Sequence, residues 1–334
     1  MRTTARAGGL PQYDVDVVVV GSGVAGMTAA LGLARTRRVL VVEDGDGSTR
    51  WAQGGIAAAF ADDDPAEHAH DTHVAGGGLC DPVAVQRLVE EGPLRLAELV
   101  AAGARLDRTD SGALCRSREG GHRSRRIVHA GGDSTGAEVW RVLRAQADRV
   151  GLQRLRRTRV TALTLAMTPH GPAVTGLEAA GPQGRVRVRA RAVVLATGGI
   201  GHVFGATTNP AGVRGEGLAL ALRAGATLTD LEFVQFHPTA LATSAVHGQL
   251  PLVTEALRGE GAVLLDRAGR PFMRHVHPAA DLAPRDVVAA AIHRTMTVEG
   301  TDHVWLDARA VADVRRRFPT VAAACSSAGV DPAR

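Results

Sequence analysis

Three glycines have the spacing of a turn that lets the backbone approach a phosphate group. Gly21, Gly23 and Gly26 follow the apolar run Asp14–Val20 directly. The first suits a tight turn, the second lets backbone approach a pyrophosphate, and the third lets a helix pack close to a strand. The N–H groups and dipole at the start of that helix favour phosphate charge. The spacing predicts dinucleotide binding, with a purely structural strand–helix turn as the alternative.

The elements around this turn support the dinucleotide interpretation. Asp14–Val20 predicts a buried parallel strand, and residues 27–38 predict a helix. A second strand, Val39–Val42, ends at Glu43. Glu43 lies about 20 residues beyond Gly21, where an acid that binds ribose hydroxyls is expected.

A second glycine signal lies further along the chain, in Ala196-Thr197-Gly198-Gly199. The stretches 155–165, 173–180 and 186–192 predict successive strands broken by turns, and 192–196 predicts the strand that precedes Thr197. A strand that ends in this way after a small β-meander is typical of flavoproteins with two dinucleotide-binding domains. This order favours FAD over NAD as the cofactor.

The composition excludes several other chemistries. The 334 residues are 45% apolar and 22% charged, which suits a folded chain with one large core or two modest ones. All 39 basic residues are arginine, so neither a Schiff-base lysine nor a P-loop lysine is available. The three cysteines suit neither a disulfide framework nor a zinc site.

Binding to membranes, nucleic acid or metal is not expected. No apolar run approaches the ~20 residues that span a bilayer, and MRTTARAGGL lacks the apolar middle of a secretory signal, which predicts a cytoplasmic protein. The net charge of +5 mildly favours anionic ligands, but the arginine-rich stretch 116–126 has no interleaved aromatic residues for base stacking. His70 and His73 lack a matching ligand pair and predict a solvated helix face.

Several longer strings carry a resemblance to one superfamily, the succinate dehydrogenase and fumarate reductase flavoproteins. They occur in that superfamily's order over nearly the whole chain. They are Ser48-Thr49 with Ala52-Gln53-Gly54-Gly55, Ala196-Thr197-Gly198-Gly199, Glu232–Thr239, Thr254–Gly261 and Ala283–Asp286.

Within the superfamily the chain most resembles the L-aspartate oxidases. Arg118-Glu119-Gly120-Gly121-His122 looks like their version of a loop that lines the substrate. An acid there is useful only for a substrate with a cation, and aspartate has an ammonium group whereas succinate has none. Residues 48–51 contain no histidine where succinate dehydrogenase and fumarate reductase attach FAD, so the resemblance implies non-covalent FAD.

The resemblance implies an α/β fold with two domains. Residues 1–231 would form a Rossmann-like FAD-binding domain of the glutathione-reductase type with a β-meander, and 232–334 an α+β capping domain. The pyrophosphate would lie at 22–25, the flavin along 48–55, and the adenine near the backbone of Val160. The implied FAD contacts are Gly21, Ser22, Gly23, Val24, Ala25, Gly26, Glu43, Ser48, Thr49, Ala52, Gln53, Gly54, Gly55, Val160, Thr197, Gly198 and Glu216.

The reaction that the resemblance implies is the oxidation of L-aspartate to iminoaspartate, the opening step of NAD synthesis. A hydride would pass from Cα to flavin N5, with reoxidation by O2 or fumarate and with quinolinate synthase as a possible partner. Arg285 would donate or accept the proton. The substrate would contact Glu119, His237, Thr254 and Glu255.

The residues themselves leave a second interpretation open for most of these positions. Residues 281–296 predict a helix that places Arg285 in its first turn, where the dipole disfavours a cation, although a surface ion pair with Asp286 is the alternative. Glu119 could pair with Arg118 or Arg123, and His237 could be a core histidine. Glu255 and Arg258 could form an ordinary helical ion pair.

The resemblance also implies that segments found in relatives are absent before Arg334. These segments return from the cap to the FAD-binding domain and carry a second substrate histidine and a second substrate arginine. The FAD-binding domain is therefore expected to lack its return segment, and the cap to be incomplete. Three hypotheses stay open: an L-aspartate oxidase represented incompletely, another dicarboxylate oxidoreductase of the superfamily, and a non-catalytic flavin-binding remnant.

Overall fold

The computed structural model describes residues 10–243 and 247–334. Residues 1–9, on which the prediction about a secretory signal largely depends, lie outside the described residues. The strands are β1 Gln12–Val20, β2 Val39–Glu43, β3 Ile56–Ala57, β4 Arg116–Ser117, β5 Ile127–Val128, β6 Gln153–Arg156, β7 Arg159–Thr168, β8 Gly171–Gly181, β9 Gly184–Leu195, β10 Ala206–Thr207, β11 Gly248–Gln249, β12 Val263–Leu265 and β13 Trp305–Asp307. The α-helices are α1 Val24–Leu33, α2 Pro65–Ala75, α3 Pro82–Ala101, α4 Thr135–Arg149, α5 Glu216–Arg223, α6 Ala256–Gly259, α7 Arg285–Glu299, α8 Val314–Arg317 and α9 Pro319–Ser327.

The chain folds as two compact units that do not follow the predicted domain boundary throughout. The first unit comprises the described residues up to Trp51 together with Val139–Val234. The second comprises Ala52–Glu138 and the described part of Gln235–Arg334. Residues 52–138 therefore group with the segment that follows residue 234. The functional division into an FAD-binding domain at 1–231 and a capping domain at 232–334 stays a prediction.

The first unit is built on a six-stranded sheet in the order β6-β2-β1-β9-β8-β7. The first four strands are parallel, and β9, β8 and β7 form an antiparallel meander. Alternate valines of β1 enter two different cores because successive side chains of a strand point to opposite faces. Val18 packs with the meander residues, and Val19 packs with Met27 of α1. The predicted Rossmann-like fold with a β-meander is confirmed.

Two predicted strand boundaries in this unit were wrong. The stretch 155–165 is not one strand, because the chain leaves the extended conformation at Arg157, where φ is +49°. Its two parts, β6 and β7, lie at opposite ends of the sheet order. Conversely, 186–192 and 192–196 belong mainly to one strand, β9, which pairs with β8 on one side and with β1 on the other.

The second unit contains the hairpin of α2 and α3, the three-stranded sheet β3-β5-β4 and the pair β12–β13. The predicted helix at 281–296 starts later than expected, at Arg285, after a separate 3-10 turn at Ala280–Leu282. Ala283 is extended, with ψ of 158°, because the ring of Pro284 disfavours a helical conformation in the residue before it. Arg285 nevertheless occupies the first turn, as predicted.

None of the helices in the described ranges is both long enough and apolar enough to cross a membrane.

Candidate active site

The glycine turn between β1 and α1 is held closely against the end of β9. Gly21 has φ of +105°, and a Cβ added there would lie 2.2 Å from the carbonyl oxygen of Ala196. A Cβ added at Gly26 would lie 2.1 Å from the carbonyl oxygen of Gly21. Both positions therefore require glycine, for the reasons that the sequence indicated. The turn leads directly into α1, whose N-cap residue is Gly23.

Polar groups beside this turn suit the pyrophosphate of a dinucleotide. Ser22 is buried, and its hydroxyl has no hydrogen-bond partner within the described part of the chain. The N–H of Val24 donates to Oγ1 of Thr49 at 2.9 Å, which brings the 48–49 segment to the start of α1. Ser48 is itself within 3.2 Å of the side-chain oxygen of Asn209. An orphaned buried hydroxyl at a helix N-terminus fits a phosphate ligand, because such a group needs a partner.

Glu43 lies at the carboxyl end of β2, beside a cavity of about 590 Å³ in the first unit. Its buried carboxylate accepts from Nη1 of Arg144 at 2.8 Å and lies 3.5 Å from Nε of Arg156. The two arginines line the same cavity, together with Thr158 and the turn at 181–184. The carboxyl ends of parallel strands are the expected side for a nucleotide. Val160, two residues after Thr158, is buried but does not line the cavity.

The remaining predicted FAD contacts are distributed over both units. A Cβ added at Gly217 would lie 1.9 Å from Oγ1 of Thr197, so the start of α5 packs directly on that threonine. Glu216 begins α5 and forms an ion pair with Arg159. In the second unit, Gln53 is buried and its Oε1 lacks a hydrogen-bond partner among the residues described. The assignment of these residues to FAD stays a prediction.

A cluster of charged groups forms in the second unit around the carboxylate of Glu255. One carboxylate oxygen, Oε1, accepts from the backbone N–H of Gly120 at 3.0 Å and lies 3.3 Å from Arg258 Nη2. The other, Oε2, accepts from Nε of Arg285. Nη1 of Arg285 donates to Oε1 of Gln235 at 3.3 Å. Arg285 thus pairs with Glu255, and the alternative surface pair with Asp286 is not formed.

Glu119 belongs to the same cluster and is held by a histidine. Its Oε1 lies 2.8 Å from Nε2 of His129, and both side chains are buried. Burial alone would raise the pKa of Glu119, but the hydrogen bond from His129 and electrostatic interactions with His129, Arg285 and His122 lower it below its usual value. Glu119 is therefore ionised at neutral pH. The alternative pairing with Arg123 is not formed, since that residue binds Asp71 at 2.7 Å.

His237 and Thr254 complete the set of predicted substrate contacts. Burial and the charges of Arg285 and Arg258 lower the pKa of His237 from 6.5 to about 3, so its ring is neutral at physiological pH. Its Nδ1 accepts from the N–H of Thr239 at 3.2 Å, which leaves Nε2 as the position for the ring proton. Thr254 is buried, and its hydroxyl accepts from the N–H of Ala256 at the start of α6.

Arg258 also belongs to this cluster, and the sequence did not predict its surroundings. The predicted ion pair with Glu255 exists, but the guanidinium is fully buried rather than solvated. Burial lowers its pKa, the Glu255 charge opposes this, and the Arg285 charge adds to the lowering. Its Nη1 donates to the carbonyl of Asp281, whereas Nε and Nη2 make no hydrogen bond within the described ranges. The cluster therefore carries both signs of charge and can bind a ligand that carries both.

The helix face predicted to be solvated at His70 and His73 is exposed at His70 and half-buried at His73. The neighbouring side chains of His68 and Asp71 are buried. Asp71 accepts from Arg126 and Arg123 rather than facing solvent. No group of three or more His, Cys, Asp or Glu residues suited to a metal ion occurs in the described ranges.

The comparison with family models assigns the chain to a class. The FAD binding domain model matches residues 16–334, and the chain therefore belongs to this family of flavoproteins. The match confirms the FAD cofactor and agrees with the orphaned hydroxyl and glycine turn described above.

Curated relatives and solved structures identify the part of the family to which the chain is similar. It is 53% identical to the L-aspartate oxidase of Streptomyces coelicolor, over 95% of this chain and 56% of that protein. It is 50% identical to the L-aspartate oxidase of Mycobacterium tuberculosis, over 96% of this chain and 61% of that protein. The chain thus spans about three-fifths of the length of these relatives. The predicted resemblance to L-aspartate oxidases is confirmed.

Among solved structures, the chain is similar to fumarate reductases. A quinol–fumarate reductase with menaquinol molecules has a TM-score of 0.86 at 30% identity, over 96% of this chain and 59% of that chain. A mutant of the E. coli quinol fumarate reductase has a TM-score of 0.84 at 29% identity, over 96% and 58%. These likenesses confirm the predicted fold class.

Replacing Gly21 by alanine is expected to weaken FAD retention roughly tenfold, because a left-handed backbone costs a non-glycine residue about 1–2 kcal/mol and the added Cβ meets the Ala196 carbonyl. The flavin content of the purified variant and the FAD dissociation constant measure the effect. Gly32→Ala is the matched control, since Gly32 lies inside α1 and a Cβ there has nothing within 4 Å. Equal FAD affinity of the Gly21→Ala protein and the control would contradict the role of the turn.

Proposed function

We propose that this chain forms the FAD-binding and aspartate-recognising part of an L-aspartate oxidase that converts L-aspartate to iminoaspartate. The observation that carries the proposal is the cluster in the second unit. There the ionised Glu119 adjoins Gly120, whose N–H donates to the same Glu255 carboxylate that accepts from Arg285. An amino-dicarboxylate carries both an ammonium and carboxylates, so it complements both signs of charge. A dicarboxylate without an amino group leaves the buried anion unmatched.

The proposed roles follow from the groups that each residue presents. The anionic Glu119 accepts from the ammonium of the substrate, and the neutral His237 donates from Nε2 to a substrate carboxylate. Arg285 attracts a carboxylate and carries the proton. FAD, when bound, would supply the acceptor for the hydride that leaves Cα. One proton would leave the ammonium through Arg285, which would pass its own Nε proton to the Glu255 carboxylate, and the product would be the iminium form of iminoaspartate.

The protonation role of Arg285 depends on its partner Glu255. An arginine ordinarily keeps its proton because its pKa lies above ~12. The Glu255 carboxylate accepts a hydrogen bond from Nε of Arg285 and is itself buried, so it is the group through which Arg285 can exchange a proton. The same carboxylate also accepts from the backbone N–H of Gly120, the residue that follows Glu119. Glu255 therefore links Arg285 to the loop that carries Glu119.

The resemblance supports further parts of the proposal. FAD is held non-covalently, since residues 48–51 offer no histidine for attachment. The product enters NAD synthesis, with quinolinate synthase as the partner that uses it, in the cytoplasm. O2 or fumarate would be the oxidant that returns the reduced flavin to FAD.

The test is anaerobic reduction of the flavin in the purified 334-residue protein. L-Aspartate is expected to bleach the flavin absorbance, and succinate, which differs mainly by lacking the ammonium, is expected not to. Bleaching by succinate alone would identify a dicarboxylate oxidoreductase of the fumarate reductase type. Protein that retains FAD but is bleached by neither ligand would identify a non-catalytic flavin-binding chain.

A further inference from the structure

His129 is the residue that holds the Glu119 carboxylate. Glu119 lies in the loop at residues 118–126 between β4 and β5, and His129 follows β5 directly. The 2.8 Å contact uses Nε2 of the ring and Oε1 of the carboxylate. Within the described residues no hydrogen bond to Oε2 of Glu119 occurs. One carboxylate oxygen is therefore fixed by the protein, and the other is available to a ligand.

The nature of this partner decides whether the protein itself balances the negative charge of Glu119. An imidazole can donate from one ring nitrogen while carrying no charge itself. A guanidinium in the same place would neutralise the carboxylate and cancel its attraction for an ammonium group. The neighbouring arginines are bound elsewhere: Arg126 to Asp63 and Asp71, and Arg285 to Glu255.

The backbone of the 118–126 loop is anchored without His129. Arg126 is fully buried and donates from Nε to Asp63 at 2.7 Å and from Nη1 to Asp71 at 2.6 Å. The N–H of Gly120 donates to Glu255 at 3.0 Å. These contacts fix the loop after Glu119, and the pairing of β4 with β5 fixes it before Glu119. Loss of the His129 ring is therefore expected to change the carboxylate rather than the fold of the loop.

We propose that His129 is a positioning residue for substrate selectivity, which holds Glu119 through one oxygen and leaves its other oxygen and its negative charge for the ammonium of the ligand. This inference rests on the proposed function, because it concerns how the same site distinguishes an amino-dicarboxylate from a dicarboxylate.

Loss of the His129 hydrogen bond also has a consequence for pH dependence. Burial raises the pKa of Glu119 and the hydrogen bond from His129 opposes it, so removal of the ring moves the pKa upward. L-Aspartate binding is then lost at a higher pH as the solution is acidified. The titratable and charged groups that face Glu119 are His122 in its own loop, His129, His237, Glu255, Arg258 and Arg285.

The test compares His129→Phe with His129→Gln in the FAD-loaded protein. The phenylalanine ring fills the space without a donor, and the glutamine amide retains one. The concentration dependence of anaerobic flavin reduction gives the apparent Kd for L-aspartate, and competition gives the Kd for succinate. For His129→Phe, the Kd for L-aspartate is expected to rise roughly 10- to 100-fold, the range of a hydrogen bond to a charged group, while that for succinate stays within about twofold.

His129→Gln is expected to recover most of the affinity for L-aspartate, and the pH at which binding is lost is expected to rise only in His129→Phe. His70→Phe is the matched control, since His70 is an exposed histidine of the same unit. Equal weakening of both ligands, or an unchanged Kd for L-aspartate, overturns the role of His129 while the proposed function stands. If the unmodified protein itself does not prefer L-aspartate, the proposed function fails and this inference fails with it.

Discussion

Arg285→Lys is expected to lower the limiting rate of flavin reduction by L-aspartate about 10²- to 10⁴-fold, the usual contribution of a positioned acid or base. Arg285 donates from Nε to Glu255 and from Nη1 to Gln235, so its planar guanidinium makes two hydrogen bonds in different directions at the same time. A lysine ammonium keeps the charge but cannot reproduce that fork. The loss is therefore expected mainly in the rate, with a smaller change in the apparent Kd.

Rapid mixing under anaerobic conditions separates these two quantities. Arg294→Lys is the matched control, because Arg294 is exposed on the same helix, α7. We expect its limiting rate and Kd to equal those of the unmodified protein. A limiting rate of Arg285→Lys within about threefold of the control would exclude Arg285 as the proton carrier.

Glu119→Gln is expected to raise the Kd for L-aspartate roughly 30-fold or more, since truncating one partner of a buried charge pair costs about 2–5 kcal/mol. The amide has nearly the same shape, and its oxygen can still accept from Nε2 of His129 at the position of Oε1. The substitution therefore removes the negative charge with little change in packing. Succinate is expected to bind equally well or better, because the buried anion no longer opposes a doubly negative ligand.

The selectivity ratio between the two ligands is the quantity to measure. Flavin content and the temperature of unfolding establish that the variant is intact, and Glu90→Gln on the exposed side of α3 is the matched control. If Glu119→Gln binds L-aspartate as tightly as the control does, the ammonium is recognised by another group and the choice of an amino acid as substrate loses its support.

The two changes at this pair separate charge from position. Glu119→Gln removes the charge and keeps the His129 contact, whereas His129→Phe removes the contact and leaves a carboxylate that is ionised only above its raised pKa. A larger loss of L-aspartate affinity in Glu119→Gln than in His129→Phe is the order expected if the anion binds the ammonium and the imidazole orients the anion.

The sequence by itself determined the nucleotide-binding half of the fold. The run of valines in β1, the glycine spacing at 21–26 and the acid at 43 are local features, and each depends on a few consecutive residues. Such features can be recognised in the sequence because the hydrophobic pattern of a strand and the spacing of glycines in a turn are properties of the chain segment itself. The matched strings then supplied the candidates for the charged site, including Glu119, His237, Glu255 and Arg285.

Only the tertiary structure decided the partners of those charged residues. Glu119 is held by His129, Gly120 by Glu255, and Glu255 by Arg285, and the last two contacts join residues far apart in the sequence. The sequence interpretation offered near neighbours, Arg123 for Glu119 and Asp286 for Arg285, because periodicity and spacing relate a residue only to its own segment. The division of 155–165 into strands at opposite ends of one sheet has the same origin, since strand order depends on which segments pack together. The protonation states of the buried residues also depend on the tertiary structure, because the pKa of a buried group depends on the charges that the fold places near it.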